Sequence, residues 1–446
     1  MFDRRNFVLG AIASSALAAC GGGGSDNAAN PCSSVPIACR GIGGSNLGAS
    51  VNRYRQTNLL ASHSRYGAHF TEPEFVNGWG IAIRPAGAGG HFWVAGGGTS
   101  WQYLGDVMRS ADPALRTLRQ DGLRKVSVPG ADASTGDASA GKVTGVVFNG
   151  AALTSELLRV RGQPAGDRML DGSARFVFVT DSGSVSAWTE RDAETGTIVR
   201  VDGPAVEVLN GAAQGMAFFG AAIHTGHWDR LWLADFGAQP QIRTLDAQWQ
   251  LVPTRGFANP FASGPAGTAR PGDPVPFNIQ VVNDGRQDRV FVLYAISQPD
   301  PANADAFLAG EEQSLDAAAE AASGNRPARG RLAEFDLDGR LLRIYADDGR
   351  LNAPWGVAIA PADFGAMSGR LLVGNFGGAG RICAFDLDNG QYLDDLRDGQ
   401  DRPLAIAGLW GLQFGNGVAL GDSNALYFAA GPEDETEGLF GSLRAA

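Results

Sequence analysis

A chain of 446 residues, 44% hydrophobic and 19% charged, is long enough to bury a large core, and its 63 glycines, about twice the usual share of ~7%, favour turn-rich, all-β structure. Its 47 acidic against 36 basic residues leave a formal charge of −11 with no basic run to offset it. Such a chain repels a phosphate backbone, so nucleic acid is excluded as an expected partner.

In chain order, the first element is an address. Residues 1–19 place Arg4 and Arg5 before an apolar run that ends Leu17-Ala18-Ala19-Cys20 and is too short to span a bilayer, which reads as a signal peptide. Arg4-Arg5-Asn6-Phe7-Val8-Leu9 resembles a twin-arginine signal, and Leu17-Ala18-Ala19-Cys20 resembles a bacterial lipobox. The resemblance implies that Cys20 becomes the acylated N-terminus, which makes a membrane the first expected partner. Gly21 behind it, in place of Asp, implies export to the outer membrane of the cell envelope. A plain secretory signal ending by chance in cysteine is the other reading. Residues 20–50 are rich in Gly, Ser and Asn and read as a flexible tether. In an oxidising compartment the simplest disulfide joins Cys32 to Cys39. Cys383, within Arg381-Ile382-Cys383-Ala384-Phe385, then reads as a small buried hydrophobe.

From residue 51 the chain repeats. A Gly preceded by an aromatic or polar residue and followed by three mostly apolar ones recurs as Trp79-Gly80-Ile81-Ala82-Ile83, Thr144-Gly145-Val146-Val147-Phe148, Gln214-Gly215-Met216-Ala217-Phe218, Phe277-Asn278-Ile279-Gln280-Val281, Trp355-Gly356-Val357-Ala358-Ile359 and Trp410-Gly411-Leu412-Gln413-Phe414. A second strand-like run follows each: 92–95, 176–179, 231–234, 290–294, 371–374 and 426–429. Third and fourth strands are clearest around Asp336-Leu337-Asp338-Gly339 and Asp386-Leu387-Asp388-Asn389-Gly390, where Asp, Asn and Gly suit a turn better than a calcium loop. Four-stranded units that each leave an apolar face for a neighbour to bury imply a six-bladed β-propeller over 51–446. After Trp410 only three strands fit, so the run Tyr54 to Leu60 is expected to supply the last blade's outer strand and close the ring. A pair of smaller β-domains is the rival fold. The Ala-rich, acidic excursion 297–330 reads as a solvated helix that covers the ring's mouth.

Asn77-Gly78-Trp79-Gly80-Ile81-Ala82, Asn352-Ala353-Pro354-Trp355-Gly356-Val357-Ala358, Leu371 to Gly377, Gly408 to Gly417 and Leu426 to Gly431 carry a further likeness. Together they resemble an uncharacterised family of exported bacterial proteins with NHL-like propeller repeats. The resemblance covers roughly 51–443 and implies the fold without bringing an activity.

Catalytic motifs are weak. Gly421-Asp422-Ser423-Asn424-Ala425 misses the last Gly of a nucleophile elbow, and the P-loop spacing from Gly136 to Lys142 ends on Val143 and leads into a strand. His224 and His227 make two ligands of a metal site and read as a hairpin turn. The repeat's first position would line the channel mouth, with Trp79, Trp355 and Trp410 on contiguous blades facing Thr144, Gln214 and Phe277-Asn278. An aromatic side opposite a polar one suits an amphipathic ligand, although large aromatics also serve to wedge blades together. Asn278 replaces the repeat's Gly, as a residue that tolerates a left-handed backbone. With Asp181, Asp235 and Asn375 at the ends of second strands it makes a candidate calcium site, or simply a set of turn-formers. Gluconolactonases and paraoxonases, also six-bladed propellers, hold a catalytic metal in such a channel, but the acidic ligand expected in the first blade has no match beside Asn77-Gly78. The expected function is a cell-envelope lipoprotein whose propeller binds a small-molecule ligand or an envelope protein. A metal-dependent hydrolase of the lactonase type and a structural envelope protein are the alternatives.

Overall fold

The computed structural model describes residues 51–130, 141–300, 303–308, 329–346 and 348–446. The expected signal and tether, with Cys20, Cys32 and Cys39, lie outside the described residues. Val51–Ala446 is one compact unit. Its first blade runs outward from the centre as Gly78–Ala82, Phe92–Gly96, Thr99–Tyr103 and Lys125–Ser127. The second is Val143–Phe148, Phe176–Thr180, Ser184–Trp188 and Val206–Asn210. The third is Phe218–Ile223, Arg230–Asp235, Gln241–Asp246 and Leu251–Val252, and the fourth is Pro274–Asn283, Asp288–Ile296, Gly330–Phe335 and Leu341–Ile344. The fifth is Pro354–Ile359, Leu371–Asn375, Ile382–Phe385 and Tyr392–Asp395. The sixth takes Leu409–Phe414, Leu426–Ala430 and Leu439–Ala445. The innermost strands touch in a closed cycle, each against the next and the sixth against the first, which makes the ring a six-bladed β-propeller.

Closure comes from the N-terminal strand, as the strand count requires. Tyr54–Ala61 pairs antiparallel with Leu439–Ala445, from Tyr54 opposite Ala445 to Ala61 opposite Leu439, with a bulge between Asn58 and Leu60. Leu60 and Ala61 are fully buried. Tyr54 stacks on Phe364 at 4.6 Å, donates its hydroxyl to the Phe364 carbonyl at 3.0 Å and accepts from the Met367 amide at 3.2 Å. Burial pushes that hydroxyl up to about 12, so it stays protonated and available as a donor. The closing strand thus binds the fifth blade as well as the sixth. The seam between the sixth and first blades is latched separately. Tyr427 donates to Asp106 Oδ2 at 2.6 Å, and Arg444 bridges Asp106 and Asp422 at 2.7 and 3.0 Å.

The inner strands need glycine for close approach. A Cβ on Gly80 would lie 2.9 Å from the Thr144 carbonyl, and one on Gly411 2.5 Å from that of Trp79, so a side chain would push neighbouring blades apart. In the excursion after Ile296, Gln298–Asp300 and Asn303–Leu308 form a two-stranded hairpin, and 309–328, where the helix is expected, lie outside the described residues. The Ala-rich composition that suggested a helix belongs almost wholly to that later part. Phe307 of this hairpin packs against the buried cluster that holds Trp79, Trp355 and Trp410.

Between the first two blades the core encloses a charge cluster. Glu190, 1% exposed, receives both terminal nitrogens of Arg84 at 2.9 and 2.6 Å and Nε of Arg200 at 2.8 Å, with Arg175 at 3.5 Å. Burial by itself would raise the Glu190 carboxyl, but the Arg84 and Arg200 bonds outweigh it and hold the group below the ordinary glutamate range. Glu190→Gln is therefore expected to cost roughly 3 kcal/mol at neutral pH, because it strands buried guanidinium charge. With the folded value depressed, the contribution of Glu190 is complete above the unfolded pKa of 4.5 and is lost as the pH falls through the folded value. Urea melts across that acid limb should show a steep loss in the wild type and a flatter one in the variant.

Candidate functional site

The repeat's first position closes the channel from within. Trp79, Phe219, Phe277, Trp355 and Trp410 are all buried in one cluster. Trp410 stacks between Trp79 and Phe376 with ring centroids 3.8 Å away on either side. Its indole nitrogen donates to Asn77 Oδ1 at 2.9 Å, and that of Trp355 crosses the channel to the Phe219 carbonyl at 2.8 Å. The open mouth with an aromatic and a polar side is therefore corrected to an aromatic floor. Thr144 completes the ring at this level, fully buried, with its hydroxyl given to the Phe218 and Val179 carbonyls at 2.7 and 3.2 Å.

The third repeat is also corrected. Gln214 belongs to a short 3-10 turn, Ala212–Gln214, which Gly215 ends in a left-handed conformation, and neither lies in the inner strand. The glycine at the ring level is Gly220, against Asn278, and the residue before it is Phe219. Two Gly-led apolar runs sit five residues apart in this segment, and the chosen one leads into the strand instead of forming it.

Beyond the floor, a cavity of about 200 Å³ runs along the channel. Its wall is built from the inner strands: the ring glycines, then Ile81, Val146, Ala221 and Leu412, then the fourth repeat position. At that fourth level Ala82 and Ala222 line one side, while Gln280 of the fourth blade and Gln413 of the sixth bring side-chain amides to the cavity. Gln280 Oε1 accepts from the Val357 amide at 2.9 Å and from Asn278 Nδ2 at 3.3 Å, which fixes the oxygen toward the fifth blade. Gln413 Nε2 donates to the Phe414 carbonyl at 3.0 Å. Ile83, Phe148, Thr225 and Trp228 form the rim, and Thr225 gives its hydroxyl to Asp288. Among the described residues no ionisable side chain lines this cavity.

Asn278 lines it too, but not as a left-handed residue: its backbone φ is not positive. Its amide spans the space that the other blades close by direct approach, donating to the Trp355 carbonyl at 2.7 Å and accepting from the Ile279 amide at 2.8 Å. The other three candidate calcium ligands occupy equivalent positions, as the alignment expected, and share one local role. Asp181 Oδ1 accepts from the Lys142 amide at 2.6 Å, Asp235 Oδ1 from the Ala217 and Gly237 amides at 2.9 Å, and Asn375 Oδ1 from the Asn352 amide at 2.9 Å. Each ties the end of a second strand to the approach to its own first strand. Asp235 Oδ2 is further taken by Arg243 at 2.6 Å. Among the described residues no group of three or more His, Cys, Asp or Glu side chains is placed to hold a metal ion. His224 and His227 occupy the turn between two strands of the third blade, their rings stacked at 4.9 Å and His224 bound to Asp229 at 2.8 Å. Cys383 is buried beside Asn375, within 3.5 Å of its side-chain nitrogen.

Gln280 and Gln413 were missed by the sequence reading, although their signal was in the aligned copies. The fourth position reads Ala82, Val147, Ala217, Gln280, Ala358 and Gln413, and it becomes Ala222 in the third blade once the register is corrected.

No family model matches the chain. An uncharacterized protein of Acanthamoeba polyphaga mimivirus is 28% identical over 405 residues, covering 88% of this chain and 81% of that protein. A second uncharacterized mimivirus protein is 32% identical over 216 residues, 48% of either chain, so the match spans about half of that relative. Of solved structures, the WD40 domain of Neurospora crassa Pan2 superposes with a TM-score of 0.39 at 12% identity, covering 88% of this chain and 97% of that domain.

Proposed function

We propose that the chain is an exported lipoprotein of the cell envelope whose propeller binds a neutral ligand in its channel, without chemistry. The observation that carries the binding half is the channel lining: an apolar wall, a closed aromatic floor and a few fixed amides, with no charged side chain among the described lining residues. Burial in such a site favours an uncharged ligand, because an ion entering it would give up hydration and meet no countercharge. Thr225, the one hydroxyl among the described lining residues, is held at the rim by its bond to the Asp288 carboxylate. Neutral ring-sized compounds are expected to raise the melting temperature of the purified protein in proportion to the logarithm of their concentration, while carboxylates and amines of the same size leave it unchanged. Stabilisation by the charged set alone would contradict the reading.

The address half rests on Arg4-Arg5 and on Leu17-Ala18-Ala19-Cys20. Labelled palmitate is expected to enter the wild type and to be absent from Cys20→Ala. Equal labelling of the two would remove the anchor. The resemblance to exported bacterial propellers supports this half; the matched mimivirus proteins are uncharacterized and bear on neither half.

A further inference from the structure

We propose that Gln280 and Gln413 make the channel selective for a ring-sized ligand that presents an amide edge, a carbonyl oxygen beside an N–H, as a lactam or a cyclic dipeptide does. This rests on the neutral-ligand reading and narrows it. The two glutamines stand at one level of the channel on either side of the fifth blade, where Ala82 and Ala222 are the corresponding residues of other blades. Their hydrogen bonds to the protein use complementary atoms. Gln280 spends its oxygen on the Val357 amide and Asn278, which leaves its Nε2 donors for a ligand. Gln413 spends a nitrogen on the Phe414 carbonyl, which leaves its Oε1 as an acceptor. The wall thus offers a donor from one blade and an acceptor from another, against apolar side chains. A ligand that meets only one of them leaves the other poorly solvated in a narrow space, and such a loss weakens binding about tenfold or more. The volume fits a single ring: about 200 Å³ is available, and an apolar cavity of ~150 Å³ holds benzene.

The test is calorimetric titration of the purified full mature protein with δ-valerolactam, which carries both groups, and with cyclohexanone, a ring of the same size that only accepts. The lactam is expected to bind about tenfold or more tightly than the ketone, and the preference to vanish in Gln280→Leu and in Gln413→Leu while ketone binding persists. The Gln413 side chain bonds to a carbonyl of its own strand, so its variant keeps the test alive if Gln280→Leu, which also frees the Val357 amide, fails to fold. Equal binding of both rings by wild type, or a preference that survives both substitutions, would overturn the amide-edge inference and leave the neutral-ligand reading standing. Binding of neither ring, with a charged analogue such as cyclohexanecarboxylate binding instead, would overturn both.

Discussion

Deletion of residues 51–61 is expected to lower the melting temperature of the whole propeller by ~10 °C or more and to make it prone to aggregation. The strand it removes buries Tyr54, Leu59 and Leu60 along with Ala61, and truncating a buried leucine or aromatic costs about 2–5 kcal/mol. The loss would also expose the pairing edge of Leu439–Ala445 and take away the hydroxyl that engages Phe364 and Met367 of the fifth blade. Deletion of 21–45, whose composition includes almost no bulky apolar residue, should leave the melting temperature where it was. Calorimetric melting of the two truncations decides between closure by this strand and a ring that is stable without it: equal melting would contradict closure.

Trp410→Ala is expected to cost about 5 kcal/mol, the upper end for removal of a buried aromatic, since the indole is stacked on both faces in the middle of the floor. The cavity left behind cannot close easily, because the ring glycine beside it, Gly411, already holds the sixth blade against the Trp79 carbonyl. Trp410→Phe keeps the stacking and removes the bond to Asn77, which strands a buried oxygen at a cost of about 1–3 kcal/mol. Urea denaturation measures both, and an unchanged dependence on urea concentration would place the effect in the folded state. A loss near 1 kcal/mol for the alanine variant would mean that the floor repacks and does not act as a rigid plug.

The architecture was legible because each blade's second strand is a run of β-branched and aromatic residues between turn signals, and the ring could be closed by counting strands after Trp410. Register within the third blade was not legible, since Gly215 and Gly220 each precede small apolar residues and only the neighbouring blades decide which one faces Asn278. A repeated glycine, moreover, signals either a left-handed backbone or close approach, and here the ring glycines serve approach. That is why Asn278 could replace one of them by bridging the gap with its amide. The Asp181, Asp235 and Asn375 positions were located correctly in the repeat, but sequence does not say that their oxygens go to backbone amides of their own blades. The aromatic floor was hidden for a similar reason. Trp79, Trp355 and Trp410 read as one side of a mouth with Phe277-Asn278 on the other, and it is Phe219, displaced by the register of the third blade, that joins Phe277 to turn them into a plug.

The most direct test of the central claim is a crystal structure of the mature protein grown with δ-valerolactam. Ordered density for the ring inside the channel, between the aromatic floor and the Phe148–Trp228 rim and within hydrogen-bonding reach of Gln280 and Gln413, is the expected result. A channel filled only with water while the ligand occupies another surface would contradict the account.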